Sequence, residues 1–111
     1  MIARLHRKNA KYPDLTAGQD YVVIGIEADD FRLLNDHGCP YLYPSHLFSV
    51  VDSHEPRDWV AEYGEEGERY AYPPDLNGAG FFEDFFDGED EAVATFWRAV
   101  NQRLALTAGA V

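Results

Sequence analysis

The sequence predicts an α+β fold: a small barrel or sandwich of short antiparallel strands, then an added β-hairpin and a C-terminal α-helix. Three observations predict it. Between residues 19 and 52, short runs of β-branched and aromatic residues alternate with turn signals, the text of a compact all-β segment. Residues 58–63 and 68–72 then flank GEEG at 64–67, a polar loop with glycine at both ends, which reads as a hairpin. After Gly88 the apolar residues Val93, Phe96, Trp97, Val100 and Leu104 recur at helical spacing, so one face of the last element is built for burial.

The elements follow in order. DYVVIGIE at 20–27 is rich in residues that favour a pleated, half-buried surface and predicts the first strand, with Asp29 and Asp30 marking a turn before a second strand, FRLL at 31–34. NDHG at 35–38 is the next turn, where glycine can take positive φ. YLY at 41–43 and FSVV at 48–51 are the third and fourth strands, joined by a tight PSHL connection. In the hairpin, alternation places Trp59, Ala61 and Tyr63 on one side and Val60 and Glu62 on the other, and Pro73 and Pro74 end the ladder. A helical period opens at Phe81, where Phe82, Phe85 and Phe86 share a face, and the last helix is expected from about Glu89 to Leu106. Asp87 is the expected N-cap of that helix, with Glu89, Asp90 and Glu91 in its first turn, where carboxylates favour the positive end of the helix dipole.

These patterns predict a core of Tyr21, Val23, Ile24, Ile26, Leu33, Leu42, Phe48, Val50, Trp59, Phe82, Phe85, Val93, Phe96, Trp97 and Val100. A chain of 111 residues that is 46% hydrophobic and 14% aromatic has the material for one core and reads as a single domain. Its parts are a basic segment at 1–14, strands at 15–55, the hairpin at 56–74 and a helical region at 80–106.

Charge narrows the function classes. Twenty acids against nine lysines and arginines give a net charge of -11, which argues against nucleic acid, because phosphate contacts need a basic stripe. The partner this surface predicts is a protein, and a basic one. Residues 55–91 carry most of the acid, whereas residues 1–12 hold Arg4, Arg7, Lys8 and Lys11 with no acid at all. That basic start reads as a solvated or frayed terminus lying across the acidic face, or as a separate binding arm. Cys39 is the lone cysteine, which excludes an intramolecular disulfide framework and suits a reducing compartment. No apolar run reaches the roughly 20 residues of a bilayer span and the first residues lack a secretory apolar stretch, so a cytoplasmic protein with no membrane partner is expected.

The strand text from Leu15 through Tyr21, Phe31 and Tyr41 to Asp52 resembles the small SH3-like barrels of uncharacterised bacterial proteins, over about a third of the chain. The resemblance implies a half-open barrel of short strands that serves as a protein-binding or regulatory module. The chain differs from eukaryotic SH3 domains that bind proline-rich peptides in having neither the ALYDY-type opening nor the paired tryptophans.

Catalytic patterns are not found. His6, His37, His46 and His54 are scattered singly, with no spacing that makes a zinc site. The DGEDE run at 87–91 lacks the twelve-residue loop of a calcium site, and the neighbouring carboxylates Asp29 with Asp30 and Glu83 with Asp84 are not opposed across a cleft. Ser45 beside His46 has no nucleophile elbow, and Gly78 with Gly80 is too short for a phosphate loop. No enzyme, metal or cofactor is predicted. The partner-binding residues are instead expected to be Glu65, Glu66 and Glu68 on the hairpin tip and Glu83, Asp84 and Asp87 on the helical segment, as in an inhibitor of the immunity-protein or antitoxin type. Two alternatives stand beside it: a regulatory module binding peptides through Tyr41, Tyr43, Trp59 and Tyr72, and a small-molecule binder or enzyme with its pocket between strands and helix.

Overall fold

A computed structural model describes residues 1–109, with side chains described through Arg103. The chain forms two compact units, Met1–Tyr72 and Pro73–Val111. The first unit holds seven strands: β1 (Ile2–Leu5), β2 (Asp20–Glu27), β3 (Asp30–Leu34), β4 (Pro40–Pro44), β5 (Phe48–Asp52), β6 (Val60–Tyr63) and β7 (Arg69–Tyr72). The second holds α1 (Phe81–Phe86) and α2 (Asp90–Gly109). The α+β class is as the sequence predicts.

The strands pair antiparallel along the path β4-β3-β2-β1-β5, and β7 joins β2 while carrying β6 at its far side. The sheet is not closed into a barrel: β4 and β5 end the path and are linked by a 3-10 turn at Ser45–Leu47 instead of by a ladder. β2 is long enough to serve three partners, β1 along Asp20, Tyr21 and Val22, and then β3 and β7 on opposite edges toward Glu27.

The basic start is not frayed at its first residues, which form β1, and Arg7, Lys8 and Lys11 are exposed on the segment that follows. Ile2–Leu5 lies between β2 and β5, with Ala3 and Leu5 buried and Arg4 turned outward to the directly opposite Asp20, Nε to Oδ1 2.6 Å. Four residues with a charge among them carry little local strand signal; pairing on both edges supplies the stability that propensity does not.

The core of this unit gathers Leu5, Leu15, Tyr21, Val23, Phe31, Leu33, Tyr43 and Phe48, with Trp59 packed half-buried against it. Two expected core positions slip by a register step. Tyr43 is buried while Leu42 is half-buried, and Val50 is exposed beside an irregularity in the β1–β5 ladder between Ile2 and Ala3. Because side chains alternate at every residue, a one-residue shift exchanges faces. In the hairpin, β6 has only one partner and all four of its residues are exposed, so the expected division of its faces is not realised. Gly25 in β2 is required by packing: a Cβ there would stand 2.0 Å from the Tyr72 ring.

In the second unit, Phe96, Ala99, Val100 and Leu76 are buried, and the 3-10 turn Pro74–Leu76 packs on α2. Phe82, Phe85 and Val93 are half-buried, whereas Trp97 is 37% exposed, against its expected place in the core. The expected core contact of Leu104 falls outside the described side chains.

Asp87 is not the N-cap of the long helix. It is the C-cap of α1, and Gly88 follows at φ +77°. The Gly88 N–H bonds the Phe85 carbonyl and the Glu89 N–H bonds the Asp84 carbonyl, each at 3.0 Å, the paired bonds of a Schellman ending that needs a left-handed residue. Glu89 then stands at the N-cap position of α2, its carbonyl accepting from the Val93 N–H at 3.0 Å.

Candidate functional site

The hairpin tip is shaped by its glycines. Gly67 takes φ +82°, its N–H bonds the Gly64 carbonyl at 3.1 Å, and the Gly64 N–H bonds the Glu68 carbonyl at 2.8 Å, closing a tight reversal between β6 and β7. Glu68 folds back over Gly64 and its carboxylate accepts the Glu66 N–H at 3.0 Å. Of the three acids expected to meet a partner here, Glu68 therefore braces the loop, while Glu65 and Glu66 are exposed at its end.

The other three expected contact residues, Glu83, Asp84 and Asp87, are all exposed on or just after α1. The phenylalanines between them stack on one another and on α2: Phe85 lies 4.6 Å and Phe82 6.0 Å from Phe96, centroid to centroid. An apolar side of α1 turned to α2 leaves its acids outward. Asp84 also lines a depression of about 390 Å³ with Asp75, Phe81, Glu89, Glu91, Ala92 and Thr95, four carboxylates beside an aromatic ring.

The four aromatic positions of the alternative groove are not brought together as an exposed surface. Tyr41 is exposed and Trp59 half-buried, but Tyr43 and Tyr72 are core residues. Their hydroxyls anchor polar networks. The Tyr43 hydroxyl donates to Asp14 Oδ2 at 2.7 Å and accepts from the Asn35 amide at 3.1 Å. Burial, reinforced by the Asp14 bond, holds this phenol well above its ordinary pKa.

Tyr72 belongs to a second network with Arg32, which is 6% exposed. The Arg32 guanidinium donates to the Tyr72 hydroxyl at 2.6 Å, the Pro40 carbonyl at 2.7 Å and Glu27 Oε2 at 2.8 Å, and Tyr72 donates to the same Glu27 oxygen at 2.5 Å. Burial pushes the Tyr72 phenol up, and the Glu27 bond adds to it. For Glu27, burial raises the pKa, but the bonds from Tyr72 and Arg32 outweigh it and the net direction is down. A third network joins Tyr21 and Thr16 to Asp36, each hydroxyl donating at 2.6 Å, and those two bonds hold the Asp36 carboxyl below its usual range.

These networks tie the 14–16 and 35–40 segments to the strands; several of their bonds span 15 to 45 residues, such as Tyr21 to Asp36 and Tyr72 to Glu27, and no local pattern announces them. No cluster of three or more histidine, cysteine, aspartate or glutamate side chains suited to a metal occurs among the described residues. No described helix is long and apolar enough to cross a membrane. No family model, no curated protein and no solved structure matches the chain.

Proposed function

We propose that the chain is a small acidic protein-binding protein that inhibits a basic partner, in the manner of immunity proteins and antitoxins. The observation that carries this reading is the hairpin tip: two exposed carboxylates, Glu65 and Glu66, stand at the end of a loop closed by backbone bonds and braced by Glu68. A projecting, pre-shaped acidic loop suits entry into a cationic cleft, since little conformational entropy remains to be lost on binding. The exposed acids Glu83, Asp84 and Asp87 supply a second negative element. The depression lined by Asp75, Asp84, Glu89 and Glu91 with Phe81 offers charge and an aromatic ring to a lysine or arginine side chain.

The test is affinity capture followed by kinetics. A basic protein is expected to co-purify with the full chain, and its association rate is expected to fall as ionic strength rises from about 0.01 M to 0.15 M, where the Debye length shrinks from ~30 Å to ~8 Å. Reversing Glu65 and Glu66 to lysine, and separately Glu83 and Asp84, leaves exposed positions exposed. Each pair is expected to weaken binding without lowering the melting temperature. An acidic partner, or full binding by both reversal variants, overturns the inhibitor reading.

A second reading is an SH3-like regulatory module. It is supported by the order β4-β3-β2-β1-β5, with β1 between β2 and β5 and a 3-10 turn leading from β4 into β5. A partner that binds the charge-reversed chain unchanged, and is displaced by substitution at Tyr41, favours this reading over the first.

A further inference from the structure

The strongest local departure from the acidic character of the chain lies where β1 ends. His6, Arg7, Lys8 and Asn9 face His46 and Leu47 of the 3-10 turn around a depression of about 630 Å³. The lining has two permanent cations, two imidazoles and a carboxamide, and no carboxylate. On a chain with 20 acids and 9 lysines and arginines, that composition is a local reversal of sign. We propose that this depression is an anion site for a phosphate group, free or carried as a small monoester.

The backbone around the site is held before any ligand arrives. At one end, the His6 N–H bonds the Leu47 carbonyl at 3.3 Å and the His6 ring meets the Ser49 hydroxyl at 3.0 Å, which ties the segment to the strand after the 3-10 turn. At the other end, the Asn9 side chain accepts the Lys11 N–H and the Asn9 carbonyl accepts the Tyr12 N–H, both at 2.9 Å. Arg7 and Lys8 are therefore carried on a short stretch fixed on both sides, and ordering it costs binding little. The neighbouring cation Arg4 is already paired with Asp20, which leaves the lining as the source of local positive charge.

The chemistry favours phosphate over a simple carboxylate. A guanidinium presents a planar fork suited to two phosphate oxygens, and an ammonium and imidazoles supply further donors to a tetrahedral group with more than one negative charge. Repulsion from the acids elsewhere is weakened at physiological salt, where the Debye length is about 8 Å, while contacts inside the lining act at hydrogen-bond range. The volume lies within the usual range of small-ligand pockets.

The site uses none of the acids of the proposed inhibitor surface, so its test is independent of that reading. The full chain, labelled with ¹⁵N, is titrated with glycerol phosphate, with inorganic phosphate and with acetate at matched ionic strength. Saturable amide shifts centred on residues 6–9 and 46–47 are expected with both phosphates, at a Kd at least tenfold lower than for acetate. A lower Kd for glycerol phosphate assigns the ester as ligand and a lower Kd for inorganic phosphate assigns the free anion. The double variant Arg7→Gln, Lys8→Gln is expected to raise the phosphate Kd at least tenfold with the melting temperature unchanged. If it loses its folded spectrum, the single variants are compared, each expected to raise Kd. Shifts that stay linear, an equal response to acetate, or unaltered phosphate binding by the variants overturns the proposal.

Discussion

The strand unit and the helical unit are stabilised by different kinds of interaction. In Met1–Tyr72, buried tyrosines end in hydrogen bonds to carboxylates and to Arg32, so the apolar packing and the loop conformations are fixed by the same side chains. In Pro73–Val111, the described side chains pack as a stack of rings about Phe96, with Phe86 left 49% exposed. Polar networks with directional bonds specify one arrangement; aromatic stacking tolerates several offsets at similar energy. The difference teaches where each unit is vulnerable, the first to loss of a hydroxyl or a charge, the second to loss of one ring.

The largest expected effect is at that ring. Phe96 is fully buried and meets Phe82, Phe85 and Trp97, so Phe96→Ala removes the common partner of three aromatic side chains. A cost of about 3 to 5 kcal/mol is expected, read by urea denaturation with tryptophan fluorescence. A variant that melts like the parent breaks the comparison, because the stack would then not depend on its centre.

The strand unit is tested at Tyr43. Replacement by phenylalanine keeps the ring and removes the hydroxyl, which leaves Asp14 and Asn35 short of a partner, at an expected cost of about 1 to 3 kcal/mol at neutral pH. Tyr21, Tyr43 and Tyr72 all have phenol pKa values raised in the folded chain, first by burial. Their stabilisation is therefore complete below the unfolded value of about 10 and is lost as pH climbs above it, since the unfolded state then releases protons that the folded state retains. Stability of the parent is expected to fall from about pH 10 upward, and the gap between parent and Tyr43→Phe to narrow over the same range. A gap that stays constant to pH 12 means that Tyr43 does not contribute to the alkaline loss.

Much of this architecture was legible in the residues. DYVVIGIE is β2 to the residue, the glycine-closed loop is the hairpin turn, and the apolar period after Gly88 is α2. These are local signals, and local signals survive reading one window at a time. β1 was not legible, because IARL becomes a strand only through partners some 18 and 47 residues further along the chain. Nothing local to Tyr43 or Tyr72 announces that their hydroxyls meet Asp14, 29 residues away, and Arg32 and Glu27, 40 and 45 residues away. Exposure of Glu65, Glu66, Glu83 and Asp84 was anticipated, since acids between glycines or between stacked rings have few other places to point. The basic lining was half visible in RKN at 7–9, but His46, which completes it, comes from a different loop.

The smallest effect separates two accounts of the junction between α1 and α2. If Asp87 capped the long helix, Asp87→Ala would cost about 0.5 to 2 kcal/mol and Gly88 would tolerate a side chain. The observed bonds place the demand on Gly88, whose φ of +77° lets its N–H reach Phe85 and lets Glu89 reach Asp84. A β-carbon at a left-handed position costs roughly 1 to 2 kcal/mol, whereas an exposed C-cap aspartate that bonds Glu83 through its backbone N–H, which alanine keeps, falls within about 0.5 kcal/mol of alanine. Gly88→Ala is therefore expected to lower the denaturation midpoint while Asp87→Ala leaves it nearly unchanged. The reverse order would return Asp87 to the N-cap and require the two helices to be joined differently, with Phe82 and Phe85 meeting Phe96 by another route.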